Sequence, residues 1–202
     1  MGLISNGTTI FDAGTISAGA GSVSFIKKIT ASADSTISMV HGASNVVFDG
    51  TYKEYLITWN CLHPSSTSEP DFLINFRDGG TDYDAPKTTT SFRCLHNEAD
   101  TQELFQYYNI DLANGTGGQL LGLDMDGDAD ACISGYCRIF DPGNTTFVKH
   151  FIIELNLTHD SPRADHYHIA GHINTTAAID GFQISRDAGN IASGDVCLYG
   201  IS

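Results

Sequence analysis

The feature that most constrains this chain is a two-residue alternation of apolar side chains wherever apolar residues gather. In KEYLITWNC, the residues Tyr55, Ile57, Trp59 and Cys61 fall on one face. In TFVKHFIIELNL, the same spacing aligns Phe147, Phe151, Ile153, Leu155 and Leu157. Successive side chains of a strand point to opposite sides, so this period marks strands with one buried face. SVSFIKKIT, STISMV, DFLINF, TTSFRCL, ELFQYYN, ISGYCRIF, HYHIAGHI, AIDGFQIS and DVCLYGI read the same way, bounded by turn clusters such as RDGGTD and DPGN. No window of a dozen residues holds helical spacing with a cap at each end, and NEADTQELF is the one candidate turn of helix. Many short strands without intervening helices predict an all-β fold. The expectation is two antiparallel sheets packed as a jelly-roll or related Greek-key sandwich.

A chain of 202 residues fits one such domain plus a short arm. Residues 1–22 differ in composition from the rest, being Gly, Ser, Thr, Ala and Ile with Asp12 as the one charge. We therefore divide the chain into an extended N-terminal arm, 1–22, and a β-sandwich domain, 23–202. Such an arm either stays mobile or lies extended against another subunit by strand addition, the second reading resting on Leu3, Ile4, Ile10, Phe11 and Ile16, which would be wasted on a solvated tail. The closing DVCLYGIS is expected to be a structural strand.

Charge narrows the partners. Ten Lys and Arg against 24 Asp and Glu give a net charge of −14, which repels phosphate backbones and anionic bilayers. Nucleic acid and membrane insertion are accordingly not expected. The opening residues read as carrying no export signal, and no apolar run approaches the roughly 18 residues a membrane helix needs. The five cysteines, Cys61, Cys94, Cys132, Cys137 and Cys197, are odd in number and widely spaced, which predicts free and mostly buried thiols. Asn-x-Thr sequons at Asn6, Asn114, Asn144, Asn156 and Asn174 then read as a polar surface rather than as glycan acceptors.

Three constellations invite chemistry. Asp124, Asp126, Asp128 and Asp130 alternate around Gly127, and carboxylates on a tight turn suit calcium. The calcium-loop pattern fails, however, because positions 6 and 12 counted from Asp124 hold Ala129 and Gly135. An acidic turn is the plainer reading. His166, His168 and His172 share one face of a strand, a spacing that suits a transition metal. The His-x-His pair is similar to the cupin metal motif, but His172 stands where that motif has its Glu. No nucleophile elbow, metalloprotease motif, P-loop or dinucleotide fingerprint occurs. No catalytic, cofactor or metal-binding residue is therefore assigned. A glycosidase needs only two carboxylates brought together by the fold, and Glu54, Glu69, Asp71, Glu98, Asp100, Glu103 or Glu154 could supply them. Of the adjacent Tyr107 and Tyr108, one is expected to be exposed and able to stack on a sugar.

Segments along nearly the whole chain carry a family resemblance: SVSFIKKITASADSTISMV, FDGTYKEYLITW, APKTTTSFR followed by HNEAD, FDPGNTTFVKHF, and HYHIAGHINTTAAIDGFQIS with SGDVCLYGI. Their order and wording resemble virion structural proteins of marine tailed phages, including those of cyanobacteria and pelagic alphaproteobacteria. MGLISNGTTIFDAGTI resembles the start of such proteins. The resemblance implies a structural role in the virion, as a tail fibre, receptor-binding or capsid-decoration protein, with no catalytic residue and a homotrimeric state. It implies assembly in the reducing host cytoplasm, partners among other virion proteins through the arm, and contact with a host surface glycan. PSSTSEPD, DGGTDYDAP and DMDGDADA are the loops expected to face the host. Cementing of the capsid shell is the alternative, and a glycan depolymerase on the same scaffold is the reading from another class.

Overall fold

The computed structural model describes the backbone of residues 3–5, 8–12 and 15–16, and all of residues 23–65 and 71–202. The fold is all-β, and no helix occurs among the described residues. NEADTQELF is accordingly not helical: its first residues turn the chain between two strands and its last ones begin the second of them. Within residues 1–22 the short strands β1 (Leu3–Ser5), β2 (Thr8–Asp12) and β3 (Thr15–Ile16) pair antiparallel with one another. The arm's predicted contact side chains lie outside the described residues.

From residue 23 the strands are β4 (Val23–Thr30), β5 (Thr36–Val40), β6 (Glu54–Pro64), β7 (Phe72–Arg77), β8 (Lys87–Asn97) and β9 (Glu103–Tyr107). They continue with β10 (Gln119–Leu120), β11 (Ile133–Phe140), β12 (Lys149–Thr158), β13 (Arg163–Ile173), β14 (Gly181–Arg186) and β15 (Ile191–Ile201). Eight form one sheet in the order β4-β15-β6-β11-β12-β13-β8-β9, and four form the other in the order β10-β7-β14-β5. The last two strands, β14 and β15, insert between strands from the first half of the chain, so the ends of the domain are locked together by crossovers.

The core is the sum of the inward faces. Tyr55, Ile57 and Trp59 of β6, Phe151, Ile153, Leu155 and Leu157 of β12, and Tyr167 and Ile169 of β13 meet Phe72, Ile74 and Phe76 of β7 and Phe182 and Ile184 of β14. Phe76 and Phe151 touch across the two sheets with ring centroids 5.2 Å apart. Each such fully buried ring contributes about 2–3 kcal/mol by leaving water, which is why the alternation in sequence is obligatory here.

The alternation breaks at two of the positions assigned to the core. Cys61 is exposed, because β6 carries a bulge there: Cys61 has φ 49°, its N–H donates to Ser134 Oγ at 2.9 Å, and the inward place passes to Leu62. The bulge is matched across the pair by Gly194 at φ 111°, where a β-carbon would stand 2.5 Å from the Cys61 carbonyl oxygen. Phe147 precedes β12 in a loop and is 69% exposed. The thiols are free as predicted, but only Cys137 and Cys197 are buried.

Several charged side chains occupy the core side. Lys87 is fully buried, Lys149 nearly so, and Asp165 is fully buried between Arg93 and Arg163.

Candidate site on the outer face of the large sheet

The outward face of the eight-stranded sheet ends in an aromatic ledge. On β8, Phe92 and Cys94 point outward because Ser91, Arg93 and Leu95 point in. Register places Tyr107 of β9 opposite Phe92, and Phe105 opposite Cys94. On the other side of β8, His168 of β13 stands opposite Phe92, and Glu154 of β12 opposite His168. A single cross-strand row thus runs Tyr107, Phe92, His168, Glu154, Tyr136 over five strands.

The row has two halves. At the edge, Phe105 is 68% exposed and Tyr107 58% exposed, with Phe92 and Phe105 ring centroids 5.1 Å apart. Phe92 also stacks on the His168 imidazole at 4.8 Å, with the planes 17° apart. Inward along the sheet the row becomes polar. His168 Nδ1 lies 3.2 Å from Glu154 Oε1, and the Tyr136 hydroxyl donates to Glu154 Oε2 at 2.7 Å. The hydrogen bond from Tyr136, aided by His168, holds the Glu154 carboxyl below its usual range, and the same bond pushes the Tyr136 phenol up. Behind the edge strand, on the side where Gln106 stands opposite inward-pointing Arg93, a hollow of about 380 Å³ is lined by Gln106, Tyr107, Tyr108, Asn109 and Leu123. The Tyr107 hydroxyl is pushed up by its hydrogen bond to Asp111, and Tyr108 turns inward beneath the Arg93 guanidinium, 3.9 Å from its ring centroid. The adjacent tyrosines therefore face opposite ways, with Tyr107 outside.

The three histidines share the outer face but not a common centre. His168 belongs to the row above, His166 stands opposite Asn156 and Cys94, and His172 meets His150 edge-on at 6.1 Å. The acidic turn is held by its own backbone. The Asp126 N–H donates to the Thr158 carbonyl at 3.0 Å, the Asp128 N–H to Asp126 Oδ1 at 2.9 Å, and Asp160 N–H to the Asp124 carbonyl at 3.0 Å. Among the described residues no three His, Cys, Asp or Glu side chains converge in a way that could hold a metal ion.

Of the acids weighed for hydrolysis, Glu69 lies outside the described residues. Glu54 pairs with Arg138 at 2.8 Å, Asp100 with His96 at 3.2 Å, and Glu154 with Tyr136 and His168. Glu98 and Glu103 bracket the turn between β8 and β9. Asp71 differs. Burial, then the neighbouring Asp187 and Asp124 carboxylates, push its carboxyl up to about 7, and its Oδ1 is buried without a hydrogen-bond partner among the described residues. Asp187 was invisible as a partner in sequence, since it is brought to Asp71 only by pairing of β14 with β7.

The loops expected to face the host do not share one end. Of PSSTSEPD, residues 66–70 lie outside the described residues, but its last residue, Asp71, bonds the Asp124 backbone of DMDGDADA at the start of β7, whereas DGGTDYDAP leaves the Arg77 end. No described helix is long and apolar enough to cross a membrane. Comparison with known proteins returns no matching family model, no matching curated protein and no matching solved structure.

Proposed function

We propose that this chain is a non-enzymatic virion structural protein of a tailed phage, a β-sandwich of a tail fibre or appendage that holds a host-surface glycan on its aromatic ledge. The observation that carries the reading is the pair Phe105 and Tyr107, exposed at 68% and 58% beside the Phe92–His168 stack. A sugar ring presents a flat C–H face and a rim of hydroxyls. Rings of Phe and Tyr match the first, and the Glu154 carboxylate further along the row matches the second. A net charge of −14 favours neutral or amine-bearing polysaccharide over polyanions. Single contacts of this kind are weak, and a trimer repeated on one particle would convert them into firm attachment through effective concentration. The resemblance to marine phage virion proteins supports the same reading, with the arm of residues 1–22 as the anchor.

Binding of the full chain to an array of host-surface polysaccharides tests the proposal. Wild type should bind at least one, and Phe105→Ala with Tyr107→Ala should abolish that binding while leaving the melting temperature in place. Deleting residues 2–22 should keep the sandwich folded but stop incorporation into virions.

One observation favours a second reading, capsid decoration. On the opposite edge of the large sheet, Val23 and Phe25 of β4 are 52% and 61% exposed immediately after the arm, an apolar margin suited to seating on coat subunits. Copy number in purified virions separates the two: near-stoichiometric with the major capsid protein means decoration, and a small fraction means an appendage.

A further inference from the structure

Lys87 opens β8 on the inward face and is fully buried. Its backbone N–H and carbonyl both pair with Gly115 at 2.9 Å, so the strand end is fixed. The amine reaches across to the other sheet. Nζ donates to the Ala85 carbonyl at 2.9 Å and to the side-chain Oδ1 of Asn75, a residue of β7. Buried Lys149 makes a useful contrast, because its amine meets only the backbone carbonyls of Thr175 and Ala177. An amine against a backbone amide can react only by breaking the chain. Against an Asn carboxamide, it faces a carbonyl carbon whose leaving group is ammonia.

We propose that Lys87 and Asn75 join in an intramolecular isopeptide bond that clasps the two sheets of the sandwich. The Lys87 Nζ lone pair attacks Asn75 Cγ; the Nζ–Cγ bond forms, the Cγ–Nδ2 bond breaks, and one amine proton passes to Nδ2, which leaves as ammonia. No oxidant, reductant or cofactor enters the balance. Burial supplies the nucleophile, since it brings the amine down to about 8 and so makes the neutral form accessible. Position supplies the rest: donor and acceptor are held on two different sheets by their own strands, so little motion separates contact from attack. The product closes the segment between residues 75 and 87 into a covalent ring. This inference does not rest on the glycan reading.

The experiment is intact-mass and tryptic analysis of the full chain after purification. Wild type should be lighter than its sequence by one ammonia. It should also yield a branched peptide in which the segment ending at Arg77 is joined to the segment ending at Arg93, with no cleavage after Lys87. Lys87→Arg and Asn75→Ala should each restore the sequence mass. Succinimide formation at Asn114–Gly115 also loses ammonia, but it survives in Lys87→Arg and gives no branched peptide. Wild-type protein at full sequence mass, or cleaved cleanly after Lys87, overturns the proposal whether or not the variants fold.

Discussion

Replacing Asp165 with Ala should be among the most damaging single changes in this sandwich. The carboxylate is fully buried and accepts from Arg93 Nη1 at 3.0 Å, Arg163 Nε at 2.8 Å and Nη2 at 3.4 Å, and the Tyr167 hydroxyl at 3.4 Å. Arg93 is 9% exposed, and its guanidinium lies over the Tyr108 ring, so it cannot swing out to water without dismantling that stack. Removing this buried carboxylate leaves a cation in the interior without its counter-charge, a loss of about 3–5 kcal/mol. In a domain of this size each kcal/mol moves the melting temperature by roughly 2–4 °C, giving a fall of roughly 6–20 °C. Trp59, the sole tryptophan and fully buried, reports the transition by fluorescence in heat or urea. The control is Lys53→Ala, which breaks a pair to Asp141 whose lysine side chain is 78% exposed and should cost roughly 0–1 kcal/mol. If Asp165→Ala melts within the range of Lys53→Ala, the three-way buried pairing does not stabilise the fold and the reasoning fails.

Other consequences are as direct. Asp71 keeps its proton in the folded state up to about 7 against an ordinary 3.8, so the unfolded chain ionises first as pH rises. Stability is full below 3.8, falls through the window up to about 7 and is level above it. Asp71→Asn should therefore stabilise the protein at pH 8 by roughly 1–2 kcal/mol, after discounting for partial exposure, and converge with wild type near pH 4 in urea titrations. Thiol labelling under native conditions should modify Cys61 rapidly and leave Cys137 untouched, since complete burial pushes the Cys137 thiol far up; quantitation by mass spectrometry checks the order. Gly194→Ala should cost roughly 1–3 kcal/mol by denaturant melting, because it forces a β-carbon into the Cys61 carbonyl at a positive φ.

The architecture was legible because it depends on a local property. Two-residue alternation survives any register, so Tyr55, Ile57, Trp59, Phe151, Ile153 and Leu155 could be placed on buried faces without knowing which strands pair. The misplacements have the same physical root. Alternation predicts only until the strand slips, and at Cys61 a bulge closed by Ser134 and Gly194 shifts the phase by one residue. Phe147 carried the right parity but lies two residues before its strand begins. The buried charges escape a sequence reading for a different reason. Lys87, Arg93, Lys149 and Asp165 occupy inward positions of their strands, yet charged side chains default to solvent until a partner is known. Their partners, Asn75, Tyr108 and Arg163 and the carbonyls of Thr175 and Ala177, come mostly from other strands or loops.

The candidate ledge shows how far local reading reaches toward a site. Strand parity alone put one of Tyr107 and Tyr108 outside and set His166, His168 and His172 on one face, and both hold. What parity could not give is neighbourhood. Whether His168 meets two other histidines, as a metal would need, or a phenyl ring and a carboxylate, is fixed by the register of β13 against its hairpin neighbour β12 and against β8, about 70 residues away in sequence. Register here serves the core first, since sliding β13 by one residue would turn Tyr167 and Ile169 to water. The outer face inherits that choice. Phe92, His168, Glu154 and Tyr136 form one row because Ser91, Ile169, Ile153 and Cys137 must lie beneath them, and the ledge that Phe105 and Tyr107 complete at the edge is the surface imprint of the buried pairing.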